Sequence, residues 1–359
     1  MIMTNKDNTR HILLKHFEEY PELDLQDVFK LLHQSSFGCE HMISSPEAAV
    51  SYLREEFNSV PRDASPKCEP LDGDYSRVHL GYLNVGLSAD TLARLFFLSA
   101  KAEPDGKESL KVKLDIVGEM IDEGLLPFDK NEFLSASKVW EADGFPPLHH
   151  SKTFRRTYKP AYRVISNDYV PFLPLLAKLD AALKHGPVRL AVEGGSASGK
   201  TTLSGLLERI YDCTVFHMDD FFLRPEQRTK ERFAEPGGNV DRERFHEEVL
   251  IPLNRGEDVT YRPFDCSSFT LAEPVTVHPK RLTVIEGAYS MHPLLAPYYS
   301  LSVFLDVAPE LQRKRISVRN SPALAKRFFE EWIPLEHVYF EKLDVKKRCD
   351  MIISICEEI

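Results

Sequence analysis

The chain has 359 residues, 43% of them hydrophobic and 28% charged, which is the composition of an ordinary globular protein at two-domain length. A net charge of −10 leaves no strong positive field, so a general nucleic-acid binder is excluded. No apolar run reaches the length of a membrane span, and the opening stretch MIMTNKDNTRHILLKHF has no signal core, so neither a membrane nor nucleic acid is an expected partner.

The first half reads as mainly helical. The stretches LDLQDVFKLLHQ (23–34), SPEAAVSYLREEF (45–57), SADTLARLFFLSAKA (88–102) and ESLKVKLDIVGEMIDEG (108–124) carry apolar residues at near-helical spacing. His33, Cys39, Glu40 and His41 cluster in HQSSFGCEHM, but Cys39 and His41 stand two apart with no second ligand pair, so turn and packing roles outweigh a metal site. The stretch PPLHHSKTFRRTYKPAYRVI gathers His149, His150, Arg155, Arg156, Lys159 and Arg163. These suit a solvent-facing or interdomain surface better than an anionic ligand. The roles open to this half are oligomerisation (a homo-oligomer included), regulation, or a second activity on the same metabolite.

A helix over 171–184 and the punctuation His185-Gly186-Pro187 mark the boundary. The expected organisation is a mainly helical domain over 1–170 and an α/β domain over 186–359. The second domain opens on PVRLAVE (187–193), a short apolar strand, followed by Gly194, Gly195, Ser196, Ala197, Ser198, Gly199, Lys200, Thr201 and Thr202. Glycines five apart let a loop turn its N–H groups onto an anion, and the helix starting near Lys200 aims its positive end at the same point. Lys200 is placed for the β- and γ-phosphates of a nucleotide and the Thr201 hydroxyl for Mg²⁺.

Further strands are expected at 213–218, 281–286, 301–306 and 349–355, alternating with helices, which implies a mostly parallel sheet covered on both faces. Chemistry then belongs at the carboxyl ends of the strands. CTVFHM ends in Asp219-Asp220, where a carboxylate can deprotonate a hydroxyl nucleophile. RLTVIE ends in Glu286, where a carboxylate can hold Mg²⁺ or its waters. The six cysteines form no Cys-x-x-Cys pair, which fits a reducing cytoplasm. Cys213, Cys349 and Cys356 lie in or beside apolar strands and are expected to be buried.

In order and spacing, GGSASGKTT, MDDFF and VIEGAY resemble the uridine kinase and phosphoribulokinase group of P-loop kinases. The resemblance covers about 187–356. It implies ATP and Mg²⁺ as cofactors, Asp219 as general base, Phe222 in the aromatic pair that follows, Glu286 near the metal, and Asp241 in GGNVDRERF (237–245) on the ribose hydroxyls. It also implies a lid, matched by PELQRKRISVRN (309–320). Arg315 and Arg319 there share one helical face and suit the charge of a transferring phosphoryl. The chain departs from the family at YRPFDCSSFTL (261–271), where Phe264-Asp265-Cys266 replaces Tyr-Asp-Phe and no His or Arg follows at the family's spacing. Phe264 and Asp265 are therefore candidate substrate contacts, while uracil itself loses its expected readers. The implied reaction moves the γ-phosphoryl of ATP to a hydroxyl of a nucleoside or similar small metabolite. Pantothenate-type or sugar-type acceptors stay open. A nucleotide-dependent regulatory ATPase is the less favoured alternative, because a guanine-reading Asn-Lys-x-Asp segment is missing and the one Asn-Lys pair is Asn5-Lys6.

Overall fold

The computed structural model describes residues 5–39, 46–100 and 105–356, which fall into two units, Met1–Ala177 and Lys178–Ile359. The first unit runs α1 (Asn5–Glu19), α2 (Leu25–Phe37), α3 (Pro46–Phe57), β1 (Cys68–Pro70), β2 (Tyr75–His79), α4 (Ala89–Ser99), α5 (Gly106–Asp122), α6 (Lys130–Ala142), α7 (Lys152–Tyr158) and β3 (Tyr162–Ser166). Its helices start where short polar side chains capture orphan amides. Asp24 and Asp27 form a capping box on α2, and Ser88, Asp129 and Ser151 cap α4, α6 and α7.

A helical reading alone misses the sheet of this unit. β1, β2 and β3 form an antiparallel sheet in the order β1-β2-β3. β2 shows no alternation, since Tyr75 to Val78 are all buried, and β3 joins it across roughly ninety residues of chain. Of the His33–His41 cluster, His33 and Cys39 are buried, with His33 packed 4.7 Å from the Phe37 ring. Glu40 and His41 lie outside the described residues.

Helix α8 (Leu173–Leu183) leads into the second unit. There β4 (Val188–Gly194), α9 (Lys200–Ile210) and β5 (Cys213–His217) come first. α10 (Lys230–Ala234) follows, then α11 (Arg242–Phe245), which passes through a π turn at His246–Leu250 into α12 (Ile251–Arg255). Short strands β6 (Val259–Tyr261), β7 (Phe264–Asp265), β8 (Thr270–Leu271) and β9 (Val275–Val277) precede β10 (Leu282–Glu286), β11 (Leu301–Val307) and α13 (Pro309–Arg319). α14 (Pro322–Arg327) continues through a second π turn into α15 (Ile333–Lys342), and α16 (Val345–Arg348) and β12 (Met351–Ile355) close the unit.

Five strands form one parallel sheet in the order β12-β11-β4-β10-β5. β4 and β10 are central and buried on both faces, as continuous apolar runs in parallel sheets are. The register sets Glu286 opposite both Val192 and His217, so the carboxyl ends of β4, β5 and β10 finish level with one another. Phe216, Ile285, Phe304, Tyr289 and Tyr339 pack into the core beneath that edge. Cys356, expected in the interior, is exposed, one residue past the end of β12.

Candidate active site

The loop between β4 and α9 is built for close backbone approach. Gly194 has φ +150°, and a Cβ there would lie 2.7 Å from the Leu305 carbonyl oxygen and 2.8 Å from Ser198 Oγ. Gly199 has φ +98° and Ala197 φ +57°, so the loop turns through the left-handed region twice before the helix begins. Ser198 Oγ is buried without a hydrogen-bond partner among the described residues. Lys200 Nζ donates to the carbonyls of Gly194 and Gly195 at 2.9 Å each. Thr202, one residue into the helix beyond Thr201, is exposed.

Two helices far along the chain hold the loop from outside. Ser196 donates its backbone N–H to Glu336 Oε2 at 2.9 Å and its hydroxyl to Oε1 at 2.6 Å. Gln312 Nε2 donates to the Ser196 carbonyl at 2.8 Å, and Arg315 Nη1 to the Ala197 carbonyl at 3.2 Å. Glu336 is buried on α15, which raises its pKa against the pull of the Lys200 ammonium. Arg319, one turn beyond Arg315, is exposed at the end of α13.

Beneath the loop lies Glu193, fully buried at the end of β4. Its Oε1 accepts N–H groups from Gly194 and Tyr289 at 3.0 and 3.1 Å. Its Oε2 accepts from Met291 N at 2.9 Å, the Tyr339 hydroxyl at 3.0 Å and Ser290 Oγ at 3.3 Å. These donors favour the anion, but burial outweighs them and pushes the carboxyl up to about 7.

Three of the expected carboxylate and hydroxyl groups meet at the strand ends. Thr201 Oγ1 donates to Glu286 Oε1 at 3.4 Å. His217, not singled out from the sequence, places Nδ1 2.6 Å from the same oxygen, and that hydrogen bond raises the imidazole pKa. Asp219 is exposed, yet the protein packed around it desolvates the carboxylate enough to raise its pKa, with Lys200 opposing and Glu286 adding to the rise. A hydroxyl and a carboxylate are hard oxygen donors, the set that suits Mg²⁺, so the residues present fit that ion.

The expected substrate contacts divide. Phe222 meets Phe264 edge-on at 6.5 Å, and Arg228 lies over the Phe264 and Phe269 rings at 5.8 and 4.9 Å. β7 packs against the turn Met218–Phe221 that carries Asp219 and Asp220, which brings the β7–β8 hairpin to the same end of the sheet. Two acids differ from expectation. Asp241 is buried as the cap of α11; one oxygen accepts Arg244 N at 3.1 Å and the other Gln227 Nε2 at 2.8 Å. Asp265 accepts from Ser267 N, Ser267 Oγ and Ser268 Oγ at 2.7–2.8 Å, which lowers it to about 2 and fixes its own turn. Both are short acids in turn-forming sequence, and nearby backbone amides and polar side chains take their oxygens.

Glu193, His217, Gln312, Glu336 and Tyr339 were not found from sequence. A signal existed for Glu193, a lone acid in an apolar strand, because a buried charge demands partners. Glu336 stands 140 residues from Ser196, and nothing local announces it.

No family model and no curated protein matches the chain. Among solved structures it is similar to a possible uridine kinase from Bacillus stearothermophilus, at 23% identity over 50% of this chain and 99% of that one, with a TM-score of 0.38. It is also similar to shikimate kinase from Bacteroides thetaiotaomicron (15% identity, 46% and 84% covered, TM-score 0.25) and to TT1252 from Thermus thermophilus (17%, 48% and 91%, 0.27).

Proposed function

We propose that the second unit is an ATP-dependent phosphotransferase whose acceptor is a hydroxyl group on a nucleoside or similar small metabolite. The observation that carries this reading is the convergence of Lys200, the Thr201–Glu286 pair and Asp219 at one end of the parallel sheet. The amides of Ala197 and residues 199–201 cradle the phosphates, since the Ser196 N–H is held by Glu336 and the Ser198 N–H by the Gly195 carbonyl, and Lys200 leaves its two carbonyls to meet their charge. Thr201 and Glu286 hold Mg²⁺, which when bound neutralises phosphate charge. Asp219 accepts the proton of the acceptor hydroxyl as its oxygen attacks in line. Desolvation supports that role, because a raised carboxyl pKa makes a better base. Arg315 sits on the loop and stabilises the moving charge; Arg319 joins only if α13 shifts inward.

For the acceptor, the aromatic group of Phe222 and Phe264 beside Asp219 supports a flat or ring-bearing molecule. Asp241 and Asp265 already hold their own turns, so they enter this reading as positioning residues. Uridine is the acceptor suggested by the sequence resemblance, and pantothenate-type and sugar-type alcohols are the alternatives. The test is ADP release from purified protein with ATP and Mg²⁺, alone and with uridine, cytidine, pantothenate or small sugar alcohols. One acceptor is expected to raise the rate by about 10²-fold or more, the range that a positioned base provides. Turnover indifferent to every acceptor would support a regulatory ATPase instead.

A further inference from the structure

The first unit contains a pocket of about 570 Å³, a volume that suits a small organic ligand. The basic stretch at 149–163, which the phosphotransferase reading does not use, forms much of its wall. Four cationic side chains, Lys30, Arg155, Lys159 and Arg163, line it against a single carboxylate, Glu56. Glu56 pairs with Arg163 at 2.7 Å, so the other three cations have no acidic neighbour among the lining residues.

Lys30 is the informative one. It is 9% exposed, on a helix otherwise committed to the core, and donates to the Leu148 carbonyl at 2.8 Å. Burying an ammonium whose hydrogen-bond partner is neutral is costly, and that cost, helped by the Arg77 charge and opposed by Asp27 one turn back on α2, lowers its pKa to about 8. An anion in the pocket removes that cost. Arg155 and Lys159 are exposed at the rim, one helical turn apart across the end of α7.

The wall behind them is held rigid. Asp27 can only accept, so His150 Nδ1 donates to it at 2.7 Å, and His150 Nε2 then accepts the Tyr162 hydroxyl at 2.6 Å. Ser151 N donates to the same Asp27 oxygen at 3.1 Å, and the His150 ring stacks on Phe154 at 4.2 Å. Tyr52, 69% exposed, and Phe96 add aromatic surface to the lining.

We propose that this pocket binds a small phosphate monoester, its phosphate on Lys30, Arg155 and Lys159 and its organic body against Tyr52 and Phe96. A phosphate monoester carries about −1.5 to −2 charges at neutral pH, which matches three cations that form no ion pair among the described residues better than a carboxylate does.

The test uses the full chain carrying Lys200→Ala, so that the loop of the second unit does not contribute. Phenyl phosphate is titrated in by calorimetry, beside inorganic phosphate, benzoate and phenol. Saturable one-to-one binding with Kd below about 1 mM is expected for phenyl phosphate, and each of the other three probes should bind at least about tenfold more weakly. Adding Arg155→Gln with Lys159→Asn should weaken phenyl phosphate binding at least about tenfold, asparagine tolerating the left-handed backbone at 159. Lys30→Met, which keeps the buried stem, should do the same, with circular dichroism confirming that each variant is folded. No saturable binding, or unchanged binding in both variants, overturns the site. Equal affinity for inorganic phosphate overturns the part given to Tyr52 and Phe96, and equal affinity for benzoate overturns the choice of phosphate.

Discussion

At the scale of single residues, Glu193 is the group most exposed to test. In the unfolded chain it ionises near the ordinary carboxyl value of about 4.3, whereas in the folded protein it keeps its proton up to about 7. Between those values the folded state binds more protons than the unfolded state, so this residue makes stability fall as pH rises, and the loss levels off above about 7. Glu193→Gln removes the titration and also turns an amide N–H₂ toward donors that need an acceptor. The variant is expected to lose about 1–3 kcal/mol at low pH, where Glu193 is neutral, and to show a shallower fall of stability between about pH 4.3 and 7. Urea unfolding across that range checks both; an unchanged slope would mean that Glu193 is ionised throughout. Asp241 teaches the complementary lesson. An acid with both oxygens engaged holds a helix in place and is poorly situated to hold a sugar.

At the scale of elements, α15 does more than cover the sheet. It sends Glu336 to the loop tip and Tyr339 to Glu193, one helical turn apart, so the loop and the strand before it are tied to the same helix. Glu336→Ala leaves the Ser196 amide and hydroxyl without their acceptor and should cost about 1–3 kcal/mol. Amide exchange at residues 195–198 is the readout; exchange as slow as in the parent chain would show that the tie is not needed. This element also marks the limit of what sequence discloses. β4, β10 and β11 were legible because buried parallel strands are continuous apolar runs, the edge strands β5 and β12 as short apolar stretches between helices, and the loop because its glycines stand at fixed spacing. The order of the strands was not legible, since a parallel arrangement leaves it open; the pairing of Thr201 with Glu286 was expected from the loop pattern and the resemblance instead. β1, β2 and β3 were not legible, since strands of three to five residues, some buried on both faces, carry no alternating pattern. Glu336, Gln312 and His217 required the folded positions of segments distant in the chain, which no local pattern encodes.

At the scale of the whole molecule, among the described residues no helix is long and apolar enough to cross a membrane. Two units each carry their own core and their own candidate anion site, the loop after β4 in one and the basic pocket in the other. Ligand binding should therefore be read unit by unit. ATP with Mg²⁺ at a hundred times its Kd stabilises the state that binds it by about 2.7 kcal/mol. Hydrogen exchange should slow in β4, β10 and the start of α9, and equal rates with and without nucleotide would place the nucleotide elsewhere. Asp219, proposed as the base that faces the bound phosphates, carries the kinase reading. Its direct test is Asp219→Asn, measured for ATP binding by calorimetry and for acceptor-dependent ADP release in the same preparation. The expected result is ATP affinity within about twofold of the parent and a rate lower by about 10²–10⁴. A variant that binds ATP and turns over at the parental rate would contradict the account.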